Sequence, residues 1–348
     1  RRAGQPVQGG DVTVSVRVTS DGYIAPEPTP AAPSAGSSGG SSGGGSAPAA
    51  QPPLVPQPLS GDPSSLPAEP MIRVGIYQPP QGRLQVTTRA SAAEVRLSGS
   101  AVCQLARDQA VTIEYQRGSA QYVLTGPGAC NGSSAQPYAV RAADGVSPLE
   151  ITDFVKPSGW ITNASDNDFR GQLELRLSRD TRQLWVINEL PIEWYLKGIA
   201  ETSNSSPSEF QRTLLVAART YAMYHVNRGG TKHANEYFTV DATLDQVYRG
   251  YAMEQRAPTI TASVDATRGQ IVTYNGRLAI TPYFSRSDGR TRSWGEVWGG
   301  GSDLPWLVSV PVPWDQGRTL WGHGVGMSAT EALGSGDLSA RALSLLFG

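Results

Sequence analysis

The sequence predicts a strand-rich, mixed α+β domain with two central helices, preceded by a disordered linker. Short β-branched and aromatic runs bounded by Gly, Ser or Pro fill much of residues 71–150 and 171–190, as strands do. Two stretches with helix signals follow over 191–229, and further strand-like runs come after them. Strands, then helices, then strands again is the order expected of an α+β domain.

The first 70 residues are predicted to lie outside that domain. Residues 11–18 (DVTVSVRV) alternate polar and apolar side chains, so 1–25 is interpreted as the remnant of a truncated upstream β segment. Residues 26–70 consist mainly of Pro, Ala, Ser and Gly and cannot bury enough apolar surface to offset their chain entropy, which predicts a disordered linker. Because the chain begins at Arg1 rather than Met, we expect it to be a fragment from which any signal peptide or anchor has been lost.

An ordered domain is predicted from residue 71 to residue 348. Its first part, 71–150, is predicted to be a strand-rich subdomain, and its motif-bearing core is predicted to cover 183–348. The segments 171–178 and 183–190 flank a turn-like run and predict a hairpin. Cys103 and Cys130 lie in the first part, and the sequence leaves open whether they form a disulfide or remain two buried thiols.

Two helices are predicted after the hairpin. Pro191 followed by IEWYLKGIA indicates a short helix that ends near Ala200, because proline fits the first helical turn. A longer helix is predicted from Pro207 to Gly229, where apolar residues recur at helical spacing. The runs GQIVTY and AITPYFS that follow are predicted to be strands.

Composition argues against several classes of function. The net charge of -1, from 29 basic and 30 acidic side chains without a basic run, argues against a nucleic-acid partner. No stretch reaches the roughly 18 continuous apolar residues of a membrane span, so no transmembrane segment is predicted. The two cysteines lie too far from the histidines to suggest a zinc knuckle. No cofactor is expected.

Four segments in the second half of the chain form a signature. They are NELPIEWYLKGIAE (188–201), AARTYA (217–222), TLDQVYRG (243–250) together with PYFSRSDGRTRSWGEVWGG (282–300), and PWDQGRTLWGHGVGMS (313–328). In this order and approximate spacing they resemble the SpoIID/LytB family, which includes stage II sporulation protein D and amidase enhancers. A weaker resemblance extends over the whole of 71–348.

The resemblance implies an extracytoplasmic protein, in the cell wall or secreted, that acts on the glycan strands of peptidoglycan. Members are described either as lytic transglycosylases, which cut peptide-stripped strands between N-acetylmuramic acid and N-acetylglucosamine, or as enhancers of a cell-wall amidase. The implied partners are therefore glycan strands and, for the second role, an amidase. Some members bind zinc through a His and a Cys before Gln-Val-Tyr, but Leu244 and Asp245 stand there, so no metal is expected.

The resemblance assigns the catalytic acid/base to Glu201. This sequence departs from the family there, since TSNSSP replaces the usual Glu-Met-Pro context and the spacing from Tyr-Leu-x-Gly is shorter. One carboxyl group can suffice for lytic cleavage, because the C6 hydroxyl of muramic acid rather than water captures the sugar cation. The acid must be protonated near neutral pH, so its pKa must rise above its ordinary value through desolvation or a nearby negative field. A helix end near Ala200 is expected to favour the neutral acid through the helix dipole.

Further motif residues are predicted to bind substrate: Arg219, Tyr221, Ser285, Ser287, Arg290, Trp298, His323, Gly324 and Ser328. The alternatives are a structural ion pair for the helical arginine, a core position for the tyrosine, a hydrogen bond to turn backbone for the histidine, and a solvated turn for the 285–290 loop. Five of the eight tryptophans fall between Trp294 and Trp321, and some are expected to stack on sugar rings while others are core.

Three functions are compatible with these residues. The first is a lytic transglycosylase, and the second is a non-catalytic wall-binding module that stimulates an amidase. The third is a hydrolytic glycosidase that pairs Glu201 with a second carboxylate such as Glu193 or Asp241. For Glu201 itself, the alternative to catalysis is a solvated carboxylate at a helix end.

Overall fold

The computed structural model describes residues 69–156, 165–227, 232–274, 277–300 and 304–334. The predicted upstream segment 1–25 and the linker up to residue 68 lie outside the described residues. The described chain is a strand-rich α+β fold, as predicted from the order of its elements. No helix in these ranges is long and apolar enough to cross a membrane.

Seven strands form the larger sheet, in the order β13-β1-β12-β11-β8-β3-β4. Their bounds are Met71–Tyr77 (β1), Ala93–Leu97 (β3), Ser100–Leu105 (β4), Tyr138–Ala142 (β8), Gln172–Leu177 (β11), Leu184–Pro191 (β12) and Val240–Asp241 (β13). Neighbouring strands are antiparallel except β1 and β13, which are parallel. The hairpin predicted over 171–190 is confirmed, since β11 pairs with β12. Strands from 71–150 and from the motif-bearing part therefore share one sheet.

Six strands form a second, antiparallel sheet in the order β10-β9-β2-β5-β6-β7. Their bounds are Arg83–Thr88 (β2), Ala110–Gln116 (β5), Gln121–Thr125 (β6), Gly132–Ser134 (β7), Leu149–Ile151 (β9) and Asp168–Phe169 (β10). Apolar residues of both sheets belong to one core. Across it, the backbone N–H of Leu177 donates to the hydroxyl of Tyr122 at 3.0 Å.

A disulfide links the two sheets. Cys103 lies on β4, an edge strand of the larger sheet, and Cys130 lies between β6 and β7 at an edge of the smaller one. Their Cα atoms are 5.3 Å apart. Of the two possibilities left open by the sequence, the disulfide is therefore the one that forms. Closing a loop over a separation of 27 residues is worth roughly 3–4 kcal/mol in the chain-entropy treatment.

The helices lie in the second half of the chain. Their bounds are Ile192–Lys197 (α1), Ser208–Asn227 (α2), Tyr251–Arg256 (α3), Pro258–Ala266 (α4), Trp294–Trp298 (α5) and Ala329–Gly334 (α6). The two predicted helices are α1 and α2. Helix α1 follows directly on β12, and Pro191 is its N-cap rather than its first residue. It ends at Lys197, so the predicted end near Ala200 was wrong.

Sequence patterns missed α4 and overestimated two strands. Helix α4 (PTITASVDA) is rich in β-branched residues, which favour strands, but it packs against α1 and α2 and buries Ile260 and Val264. In GQIVTY the strand is only Thr273–Tyr274 (β14), paired with Arg277–Leu278 (β15). In AITPYFS it is only Tyr283–Phe284 (β16), which pairs in parallel with Met327–Ser328 (β17). Short strands and turns thus form much of the region that surrounds the site.

Candidate active site

A cleft of about 780 Å³ opens between α2, the 243–246 turn, the 280–283 segment and α5. The side chains that line it are mostly aromatic or ionisable. They are Glu201, Tyr221, Tyr224, His225, Lys232, Thr243, Leu244, Asp245, Gln246, Ile280, Pro282, Tyr283, Trp294, Trp298 and His323. Of the residues predicted from the sequence, the cleft brings together Glu201, Tyr221, Trp298 and His323.

Glu201 is positioned by the chain that leaves α1. The segment after Gly198 pairs with the TLDQVYRG motif, through a bridge between Ile199 and Tyr248 and a hydrogen bond of 2.8 Å from Ala200 N to Val247 O. The backbone N–H of Val247 then donates to Glu201 Oε1 at 2.5 Å. Gly198 is required for this approach, because a Cβ there would lie 2.5 Å from the ring of Tyr248.

The pKa of Glu201 is raised above its ordinary value of 4.5 by burial, and the Val247 N–H opposes the rise by stabilising the carboxylate. Desolvation was one of the two predicted causes, and the negative end of the helix dipole was the other. Because α1 ends at Lys197, Glu201 stands beyond its C-cap, and desolvation rather than the helix dipole accounts for the shift. No cation lies within ion-pair distance of Glu201 among the described residues, so nothing there offsets its desolvation by charge.

A chain of side-chain hydrogen bonds leads from the core to the cleft beside Glu201. The hydroxyl of Tyr195 donates to Gln246 Oε1 at 2.8 Å, and Gln246 Nε2 donates to the hydroxyl of Tyr283 at 3.0 Å. Burial and the charge of Glu201 both raise the pKa of Tyr283, so this phenol stays neutral. It accepts from Gln246 and keeps its own proton for another acceptor. Neither Gln246 nor Tyr283 was predicted, because their roles depend on contacts between distant segments.

One wall of the cleft consists of aromatic rings from α5 and the last motif. Trp294 and Trp298 have ring centroids 4.4 Å apart, and Trp298 lies 5.0 Å from the ring of His323. Trp298 is 46% exposed, so much of its indole remains available. Of the other tryptophans in this region, Trp306 is buried and donates to Ile280 O at 3.0 Å. The sequence left open which tryptophans are core. In the structure Trp294 and Trp298 line the cleft.

His323 is held neutral by its surroundings. Burial lowers its pKa, and its Nδ1 accepts a hydrogen bond of 3.1 Å from the N–H of Val325, so the ring proton is on Nε2. The ring also forms a hydrogen bond with the backbone of Tyr283, which opposes the lowering of the pKa. The sequence offered a hydrogen bond to turn backbone as the alternative to substrate binding, and His323 forms such a bond. Its contribution to the cleft is the face of its ring.

A charged cluster also lines the cleft, and it was not predicted from the sequence. Asp245 accepts hydrogen bonds from Lys232 Nζ and from His233 Nε2, the latter at 2.8 Å. Burial would raise the pKa of Asp245, but these bonds outweigh it and hold the pKa at about 2. Lys232 also donates to the hydroxyl of Tyr221 at 2.9 Å. The only signal in the sequence was the position of Asp245 in the motif where some relatives have a metal ligand.

Arg219 does not line the cleft. It is buried on α2 and pairs with Glu193 on α1 through two hydrogen bonds of 2.8 and 2.7 Å. This is the structural ion pair that the sequence offered as the alternative to sugar binding. Asp241 is also committed, since its Oδ1 accepts from the N–H groups of Thr243 and Leu244 at 2.7 and 2.8 Å.

Two of the predicted serines are hydrogen-bonded to a buried aspartate and do not line the cleft. Asp315 Oδ2 accepts from Ser287 Oγ at 3.0 Å and from Ser328 Oγ at 2.6 Å. Ser285 and Arg290 are exposed and outside the cleft lining, and Arg290 pairs with Glu296 at 2.9 Å. Gly324 is a backbone requirement, because its φ is +81° and a Cβ would lie 2.9 Å from Arg292.

No group of three or more His, Cys, Asp or Glu side chains in the described part of the chain is arranged to hold a metal ion. Leu244 is exposed, and Asp245 is bound to Lys232 and His233. The absence of a metal or cofactor in the working protein stays a prediction.

Comparison with known families addresses the region that holds this cleft. A family model described as SpoIID, Stage II sporulation protein, matches residues 180–274. The resemblance to the SpoIID family is confirmed. The matched segment includes Glu201, the 243–250 motif and all of α2, whereas the aromatic wall from Trp294 to His323 lies beyond it.

Three relatives illustrate the similarity. An uncharacterized protein of Brachyspira hyodysenteriae is 40% identical over 129 residues, which is 36% of this chain and 33% of the relative. Stage II sporulation protein D of Bacillus subtilis is 30% identical over 144 residues, covering 37% of this chain and 41% of the relative. The Amidase enhancer of Bacillus subtilis is 33% identical over 124 residues, covering 36% and 14%. The similarity thus spans less than half of each of these relatives.

Proposed function

We propose that this protein acts on peptidoglycan glycan strands as a lytic transglycosylase, with Glu201 as its single acid/base. The observation that carries the proposal is the Glu201 carboxyl group: burial raises its pKa, no described cation neutralises it, and it lines a cleft with an aromatic wall. A cleft of about 780 Å³ is in the range of ligand-binding sites. Its indoles offer apolar faces that suit pyranose rings.

The reaction uses the same carboxyl group twice. Protonated Glu201 donates its proton to the glycosidic oxygen as the bond from C1 of N-acetylmuramic acid to that oxygen breaks. The C6 hydroxyl of the same sugar then attacks C1, and the Glu201 carboxylate accepts the hydroxyl proton. The products are a 1,6-anhydro sugar end and a free hydroxyl on the leaving strand, and Glu201 returns to its starting state. No water is consumed.

The raised pKa supports the first step, because a general acid must be protonated at the working pH. The Val247 N–H donates to the carboxylate that this step produces and so stabilises it. Tyr283 lies in the same cleft with a neutral hydroxyl that can donate to a sugar oxygen. Binding and chemistry are thereby assigned to different side chains.

The hydrolytic alternative has little support. Glu193 is buried in its pair with Arg219, and Asp241 accepts from backbone N–H groups of its own turn. The remaining carboxylate that lines the cleft, Asp245, is bound to Lys232 and His233. A second carboxylate free to activate water beside Glu201 is therefore missing among the described residues.

The second candidate function is a non-catalytic wall-binding module that stimulates a cell-wall amidase. It is favoured by the relative named Amidase enhancer and by the aromatic wall, which would bind glycan with or without catalysis. Both candidates act outside the cytoplasm. The disulfide between Cys103 and Cys130 supports that location, because disulfides persist in oxidising compartments.

Product analysis of peptide-free glycan strands tests the proposal. We expect the protein to release anhydromuramic ends, and Glu201→Gln to lower the rate by about 100- to 10,000-fold, because the proton donor is lost. Glu209→Gln is the matched control: this glutamate is 51% exposed on α2 and pairs with Arg212, so full activity is expected. Reducing ends would instead indicate hydrolysis.

Absence of products, combined with faster wall digestion by an added amidase, would favour the enhancer role. If Glu201→Gln keeps full activity in a folded protein, the assignment of the acid/base is wrong. Circular dichroism and a urea unfolding curve of each variant show whether the fold is intact.

A further inference from the structure

An exposed indole stands just outside the cleft, next to the wall formed by His323. Trp321 is 67% exposed and is fixed by two backbone hydrogen bonds with Arg286, from Arg286 N to Trp321 O at 3.1 Å and in return at 2.8 Å. The guanidinium of Arg286 lies 5.9 Å from the centre of the Trp321 ring. The two side chains therefore form one unit on the surface.

This unit lies close along the chain to a residue of the aromatic wall. A single residue, Gly322, separates Trp321 from His323, so their Cα atoms are at most about 7 Å apart. Gly322 has a φ of +107°, and a Cβ there would lie 2.8 Å from Phe284 Cβ, so this close approach requires glycine. The rings of Trp298 and His323 are in contact on the cleft side. The backbone thus holds Trp321 two residues from a ring that lines the cleft.

The charge of Arg286 distinguishes this place from an ordinary exposed tryptophan, which would need no explanation. Two other arginines of the same segment have carboxylate partners: Arg290 pairs with Glu296, and Arg292 pairs with Asp288. Arg286 has none within ion-pair distance in the described ranges. Its Nε donates to Thr319 O at 2.9 Å, which fixes the guanidinium and leaves its two terminal nitrogens for an external acceptor.

We propose that Trp321 and Arg286 form an outer sugar subsite, which holds a further disaccharide unit of the strand bound in the cleft. Trp321 stacks on the apolar face of a pyranose ring, and Arg286 pairs with the lactyl carboxylate of an N-acetylmuramic acid. The inference rests on the proposed glycan-binding function and adds to it a preference for longer strands. A peptide on that lactyl group would remove the carboxylate that Arg286 recognises.

Calorimetric titration of the full chain with peptide-free oligosaccharides tests the subsite. A Glu201→Gln parent prevents cleavage, and the ligands are a tetrasaccharide and an octasaccharide of alternating N-acetylglucosamine and N-acetylmuramic acid. We expect the parent to bind the octasaccharide more tightly. Adding Trp321→Ala should weaken octasaccharide binding about tenfold and leave tetrasaccharide binding unchanged.

Two controls separate the contributions. Trp314→Ala removes another indole that is 52% exposed, and none of residues 312–316 lines the cleft, so both affinities should stay as in the parent. Arg286→Gln should weaken binding of the muramic acid octasaccharide severalfold and leave binding of an N-acetylglucosamine octasaccharide unchanged, because only the first has carboxylates.

The outcomes distinguish the two proposals. If the parent binds the tetrasaccharide while Trp321→Ala and Arg286→Gln bind the octasaccharide as tightly as the parent does, the subsite is wrong and the proposed function stands. Equal affinity of the parent for both lengths would also overturn the subsite. If the parent binds neither oligosaccharide, the proposed function and the subsite fall together.

Discussion

The two ends of α1 each place a glutamate against the second half of the chain, but only one of these glutamates meets a cation. Glu193, in the first turn, is buried and forms a two-point pair with Arg219. Glu201, just beyond the C-terminal end, meets the backbone N–H of Val247 and faces the cleft. A buried carboxylate with a cation is a structural group, whereas one without a cation is poised to hold a proton.

Replacing Glu193 tests whether its pairing with Arg219 stabilises the fold. Glu193→Gln leaves the Arg219 guanidinium buried without its counter-ion, and we expect it to lower the free energy of unfolding by about 3–5 kcal/mol. Urea unfolding followed by circular dichroism measures the loss. Glu209→Gln, which breaks the exposed pair with Arg212 on the same helix, is the control and should cost no more than about 0.5 kcal/mol. If Glu193→Gln also costs no more than about 0.5 kcal/mol, the pair with Arg219 does not stabilise the fold.

Asp245 extends the comparison within the cleft, because it lines the same cleft as Glu201 but is paired with Lys232 and His233. Its folded pKa, about 2, lies below the ordinary 3.8. The stability that this difference contributes is present above the ordinary value and is lost as pH falls through the folded pKa. We expect Asp245→Asn to lower the free energy of unfolding by about 2 kcal/mol at about pH 7.

Urea unfolding at several pH values checks this expectation. The difference between the original protein and Asp245→Asn should shrink steadily as pH falls below about 4. A difference that is independent of pH would show that the aspartate acts through hydrogen bonding alone and not through its charge.

The smallest expected effect is on stability at Glu201 itself. Its folded pKa is raised by burial, so its stabilising contribution is full below the ordinary 4.5 and is lost as pH rises through the folded pKa. Glu201→Gln, which stays neutral, should therefore be more stable than the original protein above that pKa and equal to it in acid. Thermal melting of both proteins over a pH series measures this. Lower stability of Glu201→Gln at about pH 7 would contradict an uncompensated buried carboxylate.

The pH dependence of activity should reflect the titration of Glu201. Activity requires the protonated form at the start, so it should be highest below the folded pKa. The rate of release of anhydromuramic ends should fall as pH rises through the folded pKa of Glu201, because the general acid is lost. A pH profile of initial rates on peptide-free strands checks this. A rate that keeps rising through that range would assign the first proton transfer to another group.

Elements with local signals could be predicted from the sequence. Short β-branched and aromatic runs predicted strands over much of 71–150, where β1, β2, β3, β5 and β6 lie, and the turn-flanked pair predicted the hairpin of β11 and β12. Proline and helical spacing predicted α1 and α2. The order of the motifs identified the family resemblance and singled out Glu201, since a motif reports which residue types occur at which spacing.

Which motif residues face the cleft depends on contacts between segments that are distant in the sequence, so it could be seen only in the tertiary structure. Arg219 and Glu193 are 26 residues apart and find each other because α2 packs against α1, so a predicted sugar ligand became an ion pair. Asp245 acquires its partners Lys232 and His233 only when the 243–246 turn folds against the end of the preceding loop. The pKa of Glu201 likewise depends on burial by other segments. Burial and charge pairing are properties of neighbours in space, which no local pattern contains.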